Sequence, residues 1–80
     1  MKTKIVLCPT LRFAFYEWQR LADTYADMWV NVCRKSMSLT SKTGVKYIFR
    51  SENEMDKLKG FHGDFISWDE VDPQESEDKK

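Results

Sequence analysis

Between Lys4 and Cys8 the chain runs through Ile5, Val6 and Leu7 without a polar interruption until Pro9 stops it. A run of that length, closed by a residue with no amide hydrogen, predicts a buried strand. Thr10 then stands where a helix cap belongs, its hydroxyl placed to accept an orphan amide of the first turn. Behind it, Leu11, Ala14, Phe15, Trp18, Leu21, Ala22 and Tyr25 recur at three- and four-residue steps and predict one apolar stripe along a helix. Arg12, Glu17, Gln19, Arg20 and Asp23 are assigned to its other faces.

Residues 28–34 stand between helix end and strand, with Trp29, Val30 and Val32 favouring strand. Met37 and Leu39 alternate with polar residues, Ser41-Lys42-Thr43-Gly44 carries turn chemistry, and Val45 to Phe49 is a strong strand signal. Together these predict a hairpin. Ser51 and Glu54 have capping-box spacing, so a short second helix is expected, with Met55 and Leu58 inward and Gly60 as its stop. Phe65 to Trp68 is the last predicted strand. The fold class that follows is α/β, a small mixed sheet with a long first helix packed on one face and a short second helix. Residues 1–72 are expected to form a single α/β domain, and 73–80 a disordered, charged and mainly acidic tail.

Eighty residues, 41% hydrophobic and 14% aromatic, suffice for one compact core and no more. Thirteen basic and thirteen acidic residues cancel, so no global field draws the chain to nucleic acid. Basic residues predominate from Lys2 to Arg50 and acidic ones from Glu52 to Asp78, which is read as a solvated acidic terminus. Cys8 and Cys33 belong to no CxxC pair and are read as free thiols in a reducing compartment. Without a signal peptide or an apolar stretch of the roughly 20 residues a membrane span needs, the expected location is cytoplasmic.

The run from Lys57 to Glu70 places two adjacent carboxylates, Asp69 and Glu70, at the end of the last predicted strand. Taken with Ile5-Val6-Leu7-Cys8-Pro9-Thr10, the following helix with Gln19 and Leu21, and Val45 to Phe49, that order of segments resembles the helicase-like motor domain of viral terminase large subunits and DExD-box helicases. The resemblance covers residues 4 to 71 through short motifs. It implies a Walker B-like role for the carboxylates, with Asp69 holding Mg²⁺ and Glu70 orienting the attacking water. It also implies nucleic-acid backbone contact by the Pro-Thr segment. The chain departs from the family at the phosphates. No G-x-x-x-x-G-K-[ST] occurs, and Gly44, Gly60 and Gly63 cannot form one. Asp69 and Glu70 are therefore read as a relic, and neither a cofactor nor catalysis is expected.

Other chemistry is thinly supported. His62 is the only histidine and could serve Cys8 or Cys33 as a base only if the fold brought them together. His62, Asp64, Asp69 and Glu70 are enough ligands for a metal but lack a diagnostic spacing. Binding is the better-supported reading. Thr10, Arg12, Arg20, Arg34, Lys35, Lys42 and Lys46 are candidate phosphate contacts, with Phe13 or Tyr16 stacking on bases. Alternatively Phe13, Tyr16 and Trp29 form an exposed aromatic patch of the kind interfaces enrich. The expected function is a small non-catalytic binding protein, encoded by a phage or mobile element and acting in the host cytoplasm. Its expected partner is a protein of a nucleic-acid-processing or defence machine. A nucleic-acid-binding accessory protein is the alternative, and Val45 to Phe49 could pair across a two-fold axis as an edge strand.

Overall fold

The computed structural model describes residues 2–58, 60 and 63–73. The expectations for Met55 and Leu58 as inward side chains, for His62 and for the tail from residue 74 onward lie outside the described residues.

The first apolar run forms β1, Lys2–Cys8. Ile5, Val6 and Cys8 in it are fully buried, as a strand covered on both faces requires. Pro9 ends it, and Thr10 opens α1, Leu11–Thr24, by accepting the amide of Phe13 at 3.1 Å on its Oγ1. Tyr25 closes α1 with its amide on the Leu21 carbonyl at 3.1 Å. A 3-10 turn, Ala26–Met28, leads into β2, Trp29–Cys33, which settles the ambiguous stretch as strand.

The predicted hairpin forms from β3, Ser38–Ser41, and β4, Val45–Ser51. Ser41 Oγ accepts the Val45 amide at 3.1 Å, and Gly44 adopts a φ of 95°, a conformation that glycine reaches without strain. The last strand is β5, Asp64–Ser67. The five strands form one sheet in the order β2-β3-β4-β1-β5, with β1 parallel to both β4 and β5 and the two pairs joining β2, β3 and β4 antiparallel.

One face of this sheet carries α1. Ala14, Trp18 and Leu21 pack on Val6, Cys8, Trp29, Leu39, Val45, Tyr47 and Phe49, and Ile66 of β5 packs against the same cluster. Two indole N–H groups tie the layers together: Trp18 Nε1 donates to the Ser38 carbonyl at 3.1 Å and Trp29 Nε1 to the Leu21 carbonyl at 3.0 Å. On the other face Ile5 and Ile48 pack with Leu7. The C-terminal end of the described chain is fastened by the Tyr47 hydroxyl, which donates to the Asp72 carbonyl at 2.7 Å, and Pro73 is buried.

Three expectations are corrected. The second helix is only a 3-10 segment, Glu52–Leu58. Its capping contacts do form, the Ser51 amide on Glu54 Oε1 at 3.3 Å and the Asn53 amide on Ser51 Oγ at 3.1 Å, but a cap alone does not offset the cost of nucleating an α-helix over so short a stretch. Val45 to Phe49 is no edge strand, because β4 is paired on both sides. Leu11, assigned to the apolar stripe, is 57% exposed in the first turn of α1.

Candidate interaction surface

The two carboxylates expected to end a strand lie beyond it, in a turn. β5 is an edge strand, and Asp69 and Glu70 fall in a 3-10 turn, Trp68–Glu70, where both are exposed. Glu70 Oε1 accepts the Ser67 amide at 2.7 Å, in a capping box that Ser67 completes from the other end. That bond uses one of the Glu70 oxygens to hold the turn. Among the described residues no group of three or more His, Cys, Asp or Glu side chains could hold a metal ion.

The two thiols differ. Cys8 is fully buried between α1 and the sheet; burial, reinforced by the negative charges of Glu17 and Glu52, pushes its pKa up to about 11. Cys33, at the end of β2, is only half-buried rather than buried as cysteines usually are. Its thiol is shifted below the ordinary range, first by a hydrogen bond to the Ser36 side chain and then by backbone amides and the charge of Lys46.

The aromatic and basic candidates separate into buried and presented groups. Trp29 is buried, with 7% of its surface exposed, and its ring meets Tyr47 edge-on at 6.1 Å; it belongs to the core and not to an exposed patch. Phe13 is half-buried and meets Trp68 edge-on at 5.0 Å, so it packs the turn that carries Asp69 and Glu70. Thr10 gives its hydroxyl to the helix cap. Arg34 lies over the Phe15 ring at 5.4 Å.

Lys35 and Lys42 are exposed on the strand side, and the outward face of α1 presents a second exposed group. Arg12, Tyr16 and Arg20 are spaced four residues apart and share that face, and Tyr16 is 66% exposed. Tyr16 and Arg20 line a shallow depression with Gln19, Asp23 and Thr24. Below them lies Glu17, which is buried although sequence reasoning assigned it to a polar face. It grips Arg20 by two bonds, Nε to Oε2 at 2.7 Å and Nη2 to Oε1 at 3.3 Å. The Glu17 bond raises Arg20 further above its ordinary pKa. A guanidinium held in this fork keeps its position, while its outward N–H groups remain available. The signal for Glu17 was present in the spacing: Ala14, Glu17, Trp18 and Leu21 stand at steps of three, four and seven, the positions a helix turns inward.

Compared with known protein families, with curated proteins and with solved structures, the chain shows no match.

Proposed function

We propose that this chain is a binding protein without catalysis of its own, and that it meets a protein partner through Arg12, Tyr16 and Arg20 on α1. The observation that supports this reading is the pairing of a largely exposed tyrosine with an arginine already fixed by a buried carboxylate. Tyrosine and arginine dominate interface hot spots, and ordering a side chain before the encounter removes part of the entropic cost of binding. Glu17 also balances the Arg20 charge, which favours a protein surface over a run of phosphates at this site. In this reading Glu70 keeps a structural role as a cap. The partner class, a protein of a nucleic-acid-processing or defence machine, and a phage or mobile-element origin rest on the motor-domain resemblance.

The test is affinity capture with the tagged chain from cells that carry its gene, run beside Tyr16→Ala and Arg12→Ala. A protein captured in stoichiometric amount by the parent chain and lost from both variants supports the reading. Capture that both variants retain refutes the site. Salt-sensitive retention on DNA with no protein captured refutes the partner class.

A further inference from the structure

We propose that the free edge of β2 is the seam of a symmetric dimer, with a second copy of this chain as its occupant. The sheet has two edges, β2 and β5. An edge strand offers unpaired amide and carbonyl groups, which proteins usually guard with charge, proline or a bulge. β5 begins with the charge of Asp64. β2 reads Trp-Val-Asn-Val-Cys and carries neither charge nor proline. Its register shift lies between Trp29 and Asn31, which leaves Asn31 to Cys33 as regular strand. Val32, within that stretch, is 48% exposed, and Val30, inside the shift, is 64% exposed.

The surroundings of that edge are self-complementary. Between α1 and β2 runs a groove whose apolar lining is Phe15, Trp18, Ala22 and Val32 and whose charged lining is one acid, Asp23, and one base, Arg34. Among the described residues no ion pair joins Asp23 to Arg34. A two-fold axis demands that a patch fit itself, and a groove with one charge of each sign does so. An axis through Val32 sets Val32 against its own copy and Asn31 against Cys33 of the second copy. The apolar grooves then close on each other, and each Asp23 turns toward the opposite Arg34. The result is one continuous sheet across two copies.

Sedimentation velocity over a concentration series tests this. The expected result is a dimer at about 100 µM for the parent chain, and dissociation at least tenfold weaker for Val32→Lys, equivalent to about 1.4 kcal/mol. Asp23→Arg and Arg34→Asp each weaken the dimer, and the double variant D23R/R34D restores it, because the two charges simply exchange places across the axis. That swap keeps the proposal falsifiable if Val32→Lys fails to fold. A parent chain that remains monomeric at about 1 mM overturns the proposal, even if the edge accepts a strand from another protein. So does a dimer that Val32→Lys and the charge reversals leave unchanged.

Discussion

Removing the Trp29 side chain tests the packing of β2 against α1 most sharply. The indole is buried, meets Tyr47 edge-on, and donates Nε1–H to the Leu21 carbonyl at 3.0 Å, in the last turn of α1. Truncating a buried tryptophan to alanine costs about 3–5 kcal/mol. Over 80 residues the whole stability of a domain is roughly 4–12 kcal/mol, so Trp29→Ala removes a large share of it. Trp29→Phe keeps most of the ring volume but deletes the N–H donor, leaving the Leu21 carbonyl without that bond. Its expected cost is about 1–2 kcal/mol, the hydrogen bond plus a small void. For a domain of this size each kcal/mol moves Tm by about 4–8 °C, which sets the expected falls at about 5–15 °C for Trp29→Phe and upward of about 12 °C for Trp29→Ala. Thermal melts followed by far-UV circular dichroism, at one fixed protein concentration, read both. A Trp29→Ala chain that melts within about 3 °C of the parent refutes the buried placement and restores Trp29 to the surface.

The thiols supply a pH test. Cys8 has a native pKa of about 11 against 9.0 for the free group, so the native state holds the proton more tightly than the unfolded chain. Its contribution is fully present below pH 9.0 and is lost as pH rises toward about 11, at a limiting slope of about 1.4 kcal/mol per pH unit. The parent-minus-Cys8→Ala difference in urea stability is expected to fall across that window, and a flat difference contradicts it. Brief iodoacetamide labelling of the native chain near pH 7.5, read by mass spectrometry, is expected to modify Cys33 well before Cys8. Equal labelling argues against the burial of Cys8. At Gly63 a Cβ would stand 2.7 Å from the Thr3 carbonyl oxygen, so Gly63→Ala forces β5 away from β1 and is expected to cost about 1–3 kcal/mol in chemical denaturation; no loss means that β5 does not dock as described. Thr10→Ala is expected to cost about 1 kcal/mol through the lost cap on the Phe13 amide, and Thr10→Ser much less. Equal losses for the two point to packing and not to the cap.

Much of the fold was legible because local chemistry and tertiary structure agree. The 3.6-residue period of Ala14, Trp18 and Leu21, the Thr10 cap and the turn at Gly44 each specify their element without help from distant residues. Strand order was not legible. The apolar stretch Val45 to Phe49 suits a central strand as well as an edge, and only pairing with β1 and β3 decides which it becomes. The expected second helix failed because Ser51 and Glu54 supply a cap but the segment behind them is too short for a stable α-helix. At the candidate surface, residue type and helical phase suffice to place Tyr16 and Arg20 on the exposed side of α1. The burial of Trp29 is not legible locally, since nothing near it in sequence announces the Leu21 carbonyl that its N–H reaches. Glu17 carries opposing signals, a charge that suits solvent and a spacing that turns it inward, and the spacing prevails because Arg20 pairs with it.

The most direct test of the binding reading is the affinity of the captured partner for the parent chain and for Tyr16→Ala, measured by isothermal titration. Tyr16 is 66% exposed and distant from the core contacts, so its loss leaves the fold intact. If Tyr16 is a hot spot, losing about 2 kcal/mol raises Kd roughly 30-fold, with the melting temperature unchanged. An unchanged Kd contradicts the assignment of the outward face of α1 as the binding surface.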